Sequence, residues 1–217
     1  MHIEYLAHSA FYLLSAKGTA ILIDPYDPAI GYGAITRRCD ALLISHEHHD
    51  HNYFPAVSGR TRVLRPQAAS LTVNEVTVKG IMTDHDAFSG ERRGINIVYC
   101  LTMDGIRVCH LGDLGHILTD EQVREIGPVD VLLIPVGGHH TIDGKAAKEV
   151  TSQLAPKIVI PMHYRTGQLK RDEFPLDEVA GFTENQPSVE KSPSSLLEMT
   201  PESLPKAMKI VVLNYTF

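Results

Sequence analysis

Four side chains of types that can bind metals lie close together in the segment 45–51, which reads SHEHHDH. They are His46, His48, Asp50 and His51, in the spacing His-x-His-x-Asp-His. In an extended chain, side chains two residues apart point the same way, so His46 and His48 can approach one metal together. Asp50 and His51 are adjacent, and they can bind a second metal nearby if the backbone turns there. Imidazole combined with carboxylate favours zinc, manganese or iron over calcium.

The segment follows an apolar run, Ala41 to Ile44, which has the pattern of a buried strand. A buried strand that ends in imidazoles and carboxylates is costly to solvate unless something binds those groups. We therefore expect a transition-metal centre at the carboxyl end of this strand. The alternative is a solvated, histidine-rich loop, but a random polar loop rarely supplies four ligand types at this spacing.

Three more ligand-type residues, His85, Asp113 and His163, each follow another predicted strand. In α/β sheets, sites gather at the carboxyl ends of strands, so these loops can converge on one edge. Together with the four residues above, they make a set of seven ligands. Such a set fits two metals that lie about 3.5–4 Å apart and share one carboxylate.

The remaining patterns predict the elements that must position these residues. The predicted strands are 2–14, 19–24, 41–44, 62–64, 73–79 and 81–83 with a break at Gly80, 95–103, 106–112, 129–136, 157–161 and 209–217. The predicted helices are 119–126, 143–154 and 177–182. The strand, helix and strand over 129–161 indicate a βαβ unit with a parallel strand pair. No linker stands out, so we expect one domain over residues 1–217.

Composition excludes several classes of protein. The net charge is −6 with neutral histidine, which disfavours non-specific nucleic-acid binding because acidic surfaces repel phosphates. No apolar run reaches the roughly 18 residues that a membrane span needs. The amino terminus lacks the pattern of a signal peptide, and three cysteines do not make a disulfide framework. We therefore expect a cytoplasmic protein.

The predicted hairpin over 95–112 places Cys100 opposite Cys109. Cysteines on neighbouring strands can come close enough to form a disulfide. In a reducing compartment, two small buried thiols are the favoured alternative.

The motifs together resemble the metallo-β-lactamase superfamily, and the likeness covers most of the chain. It rests on the HxHxDH motif at 46–51, the lone His85, the GDLG turn at Asp113 and the later His163. The opening HSAF at 8–11, IDP at 23–25 and IPMHY at 160–164 resemble the branch that holds the L-ascorbate-6-phosphate lactonase. This resemblance implies an αββα sandwich, in which two mixed β-sheets lie between helices.

The resemblance also implies roles for the ligands. His46, His48 and His85 would hold one divalent metal, and Asp50, His51 and His163 would hold the other. Asp113 would bridge the two metals. Zinc is the expected metal, with manganese or iron as alternatives.

The implied activity is hydrolysis of a small molecule, namely a lactone, another ester or a phosphodiester, by a metal-bound hydroxide. Asp50 is the predicted proton acceptor. His139 and His140 are candidates to contact substrate or supply a proton, and a purely structural role in their loop is the alternative. His8 is a candidate to support a ligand or to contact substrate, and His116 is a candidate to support a ligand. Asp24 or Asp84 is expected to hold a ligand histidine by its second nitrogen. The alternatives are an inactive metal-binding sensor of the same fold and a nuclease. We expect loops 26–38, 89–94 and 168–198 to determine the substrate.

Overall fold

The computed structural model describes residues 1–170 and 174–216. The strands of these residues are, in chain order, β1 His2–Ala7, β2 Ala10–Leu14, β3 Ala20–Ile23, β4 Ala41–Leu43, β5 Arg62–Leu64, β6 Ser70–Val73, β7 Val76–Asp84, β8 Ile95–Met103, β9 Ile106–His110, β10 Val131–Pro135, β11 Ile158–Met162, β12 Val189–Lys191, β13 Leu196–Glu198 and β14 Lys209–Val212. The helices are α1 Asp120–Ile126, α2 Gly144–Leu154 and α3 Ala180–Thr183.

The strands form two mixed sheets. The six-stranded sheet has the spatial order β13-β1-β2-β3-β4-β5, and the eight-stranded sheet has the order β12-β14-β11-β10-β9-β8-β7-β6. One large apolar cluster takes side chains from both sheets, among them Tyr5, Phe11 and Leu43 from the first and Leu101 and Leu133 from the second. The two sheets therefore pack face to face on a shared core.

Strand direction decides where the loops meet. In the second sheet, β7 and β8 are antiparallel, as are β8 and β9, so β7 and β9 run the same way. Strands β9, β10 and β11 are parallel to one another. The carboxyl ends of β7, β9 and β11 therefore lie along one edge of this sheet, as the sequence predicted.

Helices α1 and α2 pack on the second sheet, against β7 and β10 respectively. Thr119 begins α1 with a capping box to Gln122, and the carboxylate of Asp143 caps α2 through the amide of Ala146. Each cap satisfies an amide that the first helical turn leaves without a partner.

The predicted sandwich of two mixed sheets is confirmed. The outer face of the first sheet, however, is covered by irregular chain, with a second apolar cluster that includes Leu42, Tyr26, Ile30 and Leu169. In this cover the described residues form short 3₁₀ turns such as Pro28–Ile30. Prolines and glycines in 25–33 explain this, because neither sustains an α-helix.

The predicted strand break at Gly80 is wrong, because β7 runs through this residue without interruption. A Cβ at Gly80 would lie 2.6 Å from the backbone oxygen of Gln67, so this glycine permits close approach of another segment. The break falls instead before Val76, where Asn74 has a φ of 52° in the two-residue turn between β6 and β7.

The carboxyl-terminal region also differs from the prediction. Strands β12 and β13 were not predicted, because they are short and mostly exposed and lack an apolar pattern. The predicted helix 177–182 is limited to the single turn α3, and the last strand ends at Val212. Within the loops expected to determine the substrate, positions 171–173 lie outside the described residues, as does position 217 of the last predicted strand.

Cys100 and Cys109 lie opposite each other, as predicted, with their sulfur atoms 3.8 Å apart and both thiols free. Among the described residues, the helices are all too short or too polar to cross a membrane.

Candidate metal centre

All seven predicted ligands meet at one place between the two sheets. The loop 45–51 leaves β4 of the first sheet, whereas His85, Asp113 and His163 follow β7, β9 and β11 of the second. Most of the set is buried, and His48 is the most exposed member. The fold thus brings together groups that are up to 117 positions apart along the chain, since the set runs from position 46 to position 163.

A tight turn delivers Asp113 to this place. Gly112 has a φ of 56°, and a Cβ there would lie 2.3 Å from Oδ1 of Asn96 and 2.7 Å from Cβ of Ser45. Asn96 uses the same Oδ1 to accept a hydrogen bond from the amide of Asp113 at 2.9 Å. Only glycine fits this turn, because the left-handed backbone and the close neighbours both exclude a side chain.

The Asp113 carboxylate lies at the middle of the site. Its Oδ2 is 3.2 Å from Nε2 of His85, 3.3 Å from Nε2 of His163 and 3.7 Å from Nε2 of His46. Its Oδ1 is 3.3 Å from Nε2 of His51. One carboxylate therefore faces histidines from both predicted ligand groups, which is the position that a bridging ligand requires.

The first group comprises His46, His48 and His85. Each offers one ring nitrogen, and these atoms all lie within 4.8 Å of one another. Nδ1 of His48 and Nε2 of His85 are 3.2 Å apart. Three imidazole nitrogens that converge in this way are suited to a single divalent ion.

The second group comprises Asp50, His51 and His163, and the structure adds His8 to it. Nε2 of His8 is 3.1 Å from Oδ2 of Asp50, and the His8 and His163 ring centroids are 4.3 Å apart. His8 lies in the turn between β1 and β2 with a φ of 55°. The contact with Asp50 spans 42 positions, and no ligand spacing in the sequence includes His8, which explains why it was predicted only to support a ligand or to contact substrate.

Asp24 organises the ligands of both groups. Its Oδ2 accepts hydrogen bonds from Nδ1 of His51 at 3.1 Å and from the Ser45 hydroxyl at 2.5 Å. Because the Ser45 hydroxyl donates to Asp24, its oxygen accepts the hydrogen of Nδ1 of His46 at 2.9 Å. Both imidazoles thereby have their Nδ1 hydrogens held by fixed acceptors, and their Nε2 atoms are turned to the centre.

Of the two predicted partners for a ligand histidine, Asp24 takes this role and Asp84 does not. The backbone of Asp84 instead contacts His116 and Gly115, because its amide donates to Nε2 of His116 at 3.2 Å and its oxygen accepts from Gly115. His116 therefore supports the chain beside His85. Ser45 was not singled out from the sequence, although its place immediately before the motif was the available signal.

His85 is held by the backbone of His140. Nδ1 of His85 lies 3.1 Å from the His140 carbonyl oxygen, which can only accept, so Nδ1 carries the hydrogen. The lone pair of Nε2 then faces the Asp113 carboxylate. A lone pair opposite an anion is repulsive unless a cation lies between them.

Unpartnered buried atoms give the same indication. Nε2 of His46, Nε2 of His51 and Oδ1 of Asp113 are buried without a hydrogen-bond partner among the described residues. Unpartnered buried polar atoms are rare because each costs about 1–3 kcal/mol. The residues therefore fit divalent metal ions in both the number and the chemistry of their donors.

The pKa values of the site follow from the same crowding. Burial alone would lower the pKa of His51, but the carboxylates of Asp113 and Asp50 raise it well above its ordinary value. Burial alone would raise the pKa of Asp113, but His163 and His51 hold it well below its usual range. Without a metal, a proton on His51 thus supplies the positive charge that the two carboxylates demand.

The two predicted catalytic histidines lie on the rim of the site. The His139 and His140 ring centroids are 4.1 Å apart, with His139 exposed and His140 half-buried. Burial first, and then the charge of Arg93, lower the pKa of His140 to about 4. His140 is therefore neutral at pH 7.

His110, unlike these two histidines, is buried and has a structural role. It accepts a hydrogen bond from the amide of Gly112 and donates one to the backbone oxygen of Ser9.

Comparison with known proteins agrees with this geometry. Residues 2–163 match the family model described as a beta-lactamase superfamily domain. A UPF0173 protein of Pyrococcus abyssi is 32% identical over 188 residues, which cover 76% of this chain and 84% of that protein. A UPF0173 metal-dependent hydrolase of Thermococcus onnurineus is 28% identical over 191 residues, with 76% and 84% covered.

A solved structure is also similar over nearly the whole chain. It is the crystal structure of a candidate Zn-dependent hydrolase of the metallo-beta-lactamase superfamily from Thermotoga maritima. It is 40% identical, covers 98% of this chain and 97% of its own, and superimposes with a TM-score of 0.80. The chain belongs to the metallo-β-lactamase superfamily and, within it, to the UPF0173 family of metal-dependent hydrolases.

Proposed function

We propose that this enzyme is a binuclear metal-dependent hydrolase of a lactone, another ester or a phosphodiester. The observation that carries the proposal is the buried Asp113 carboxylate, which faces histidines of both ligand groups. His46, His48 and His85 would hold one metal, and Asp50, His51 and His163 the other, with Asp113 shared. Both sheets supply ligands, which supports treating residues 1–217 as one hydrolase domain.

Zinc is the proposed metal, and manganese and iron accept the same ligand types. Metals bound here would lower the pKa of a water molecule and polarise the substrate's carbonyl or phosphoryl oxygen. The side chains around the metals would position the attacking water and accept its proton. Asp50 orients the attacking water and accepts its proton, and His8, at 3.1 Å from Oδ2 of Asp50, holds this carboxylate in place.

His139 and His140 are proposed to act on the substrate side. His140 is neutral at pH 7, so its ring accepts or donates a hydrogen bond without adding a charge. The resemblance of three sequence segments to the lactonase branch makes lactones the first substrates to test.

Alanine substitution tests the assignment. We expect His48→Ala and Asp113→Ala each to lose bound metal, measured by elemental analysis, and hydrolysis on a panel of lactones, carboxylic esters and phosphodiesters. The matched control is His49→Ala, which alters an exposed spacer of the same motif and keeps both properties. Full metal content and activity in Asp113→Ala would refute the site assignment. Metal binding without turnover of any panel member would instead favour the inactive sensor.

A further inference from the structure

A cavity of about 370 Å³ adjoins the metal centre on the side of His85. Its lining comes from the loops after β7, β9 and β10, and includes Phe88, Arg92, Arg93, His139, His140 and Thr141. Volumes of this size hold part or all of a small molecule. None of the roles assigned above uses the two arginines of this wall.

The cavity and the metal centre share a wall. His140 lines the cavity with its side chain, and its backbone oxygen lies 3.1 Å from Nδ1 of His85. The other nitrogen of His85 is 3.2 Å from the central Asp113 carboxylate. The loop that lines the cavity is therefore separated from the Asp113 carboxylate by the single imidazole ring of His85, so the cavity lies beside the proposed metal centre.

The charge of the cavity is positive. The Arg93 side chain is half-buried, and within residues 1–170 and 174–216 its guanidinium has neither an ion pair nor a hydrogen bond to a carboxylate. Arg92 lies with Cζ 3.6 Å from the centroid of the Phe88 ring, which fixes its guanidinium without neutralising it. Arginines of this kind recognise carboxylate and phosphate groups through paired N–H donors.

The carboxylate of Asp86, in the same wall, already accepts hydrogen bonds from the loop backbone. Oδ1 of Asp86 accepts the amides of Phe88 at 2.7 Å and Gly90 at 3.0 Å. Its Oδ2 accepts the amides of Arg92 at 3.0 Å and Arg93 at 2.8 Å. Asp86 therefore organises the arginine loop before any ligand arrives, and its carboxylate faces the loop backbone rather than the arginine side chains.

We infer that this cavity is a subsite for an oxyanion, a phosphate or carboxylate group, on the substrate hydrolysed at the metal centre, with Arg93 as its main contact and Arg92 as a second. The inference rests on the proposed function only for the link to hydrolysis. The binding of an oxyanion by Arg93 stands on the cavity alone.

The test is calorimetric titration of the metal-loaded protein with inorganic phosphate, and separately with acetate to distinguish the two anions. We expect Arg93→Gln to weaken binding of the preferred anion about 10- to 100-fold, the usual range for loss of a charge-assisted hydrogen bond. Arg93→Lys should keep part of the affinity. The matched control is Arg60→Gln, an exposed arginine at the amino end of β5, which should bind as the wild type does. Unchanged anion binding in Arg93→Gln, as expected if the metals alone hold phosphate, would overturn the inference.

A second measurement separates this inference from the proposed function. Esters or lactones that carry a carboxylate or phosphate substituent are compared with matched carboxamides. Arg93→Gln should raise KM for the anionic members and leave KM for the carboxamides unchanged. If no panel member is hydrolysed while anion binding still depends on Arg93, the hydrolase proposal fails and the subsite stands. If hydrolysis occurs and Arg93→Gln affects anionic and neutral substrates alike, the subsite fails and the hydrolase stands.

Discussion

Replacing Asp24 with asparagine tests how the chain prepares its ligands. Asp24 is fully buried, and its carboxylate oxygens accept hydrogen bonds from Ser45 and His51. It belongs to neither predicted ligand group, although its oxygen lies within 4.8 Å of ring nitrogens of His46 and His51. The φ of Asp24 is 45°, a conformation that asparagine tolerates well. Asp24→Asn therefore removes the charge while keeping the shape and the backbone.

The expected effect follows from the contacts that are lost. The amide group has one acceptor oxygen where the carboxylate has two, so it cannot accept from the Ser45 amide, the Ser45 hydroxyl and Nδ1 of His51 with full strength. His51 and His46 then lose their fixed tautomers. Loss of such a supporting partner costs about 10- to 100-fold in metal affinity, or about 1.4–2.7 kcal/mol.

The assay is competition for zinc between the protein and a chromophoric chelator. Asp120→Asn is the control, because this exposed residue on the first turn of α1 lies outside the site. Zinc affinity of Asp24→Asn equal to that of the control, with both variants folded, would show that the Asp24 network does not prepare the ligands.

Three other predictions concern pH and packing. Metal affinity should rise about tenfold per pH unit between pH 6 and 8, because the metal must displace one proton from His51, whose pKa is raised. Metal affinity that does not change with pH would contradict this. Asp130→Asn should lose about 1–2 kcal/mol at pH 7, since the Arg107 hydrogen bond lowers the pKa of Asp130. This stability is fully present above about pH 4 and is lost progressively as the pH falls through the lowered folded-state pKa; urea unfolding should show a smaller difference between variant and wild type at pH 3 than at pH 7, and an equal difference at both would contradict this. Gly112→Ala should cost at least about 3 kcal/mol, because of its clash with Asn96 and its positive φ, whereas Gly18→Ala, with a φ of 91° and open space around it, should cost about 1 kcal/mol; equal losses in thermal unfolding would refute the role of the clash.

The sequence predicted the convergence of the seven candidate ligands because each follows a strand with a strong apolar signal. Parallel direction in the second sheet then requires His85, Asp113 and His163 to lie at one edge. The ligand roles themselves stay predictions. The strand through Gly80 was misjudged because a glycine marks either a break or a close approach, and only the position of Gln67 distinguishes the two.

Other features depend on contacts that no local pattern carries. His8 meets Asp50 only because the β1–β2 turn packs beside the ligand loop. The His140 contact with His85 uses a backbone oxygen, so the side-chain types say nothing about it. Strands β12 and β13 are exposed edges, where pairing with β14 and β1 compensates for the lack of an apolar face.

The central claim is that one chain holds two metal ions around Asp113. Elemental analysis of purified protein, with protein concentration fixed by amino-acid analysis, tests it most directly. We expect two divalent ions per chain in the wild type and in His49→Ala, and fewer in His85→Ala, because His85 belongs to the first ligand group. A wild-type protein that hydrolyses its substrate at full rate with one metal ion per chain, or with none, would contradict the account.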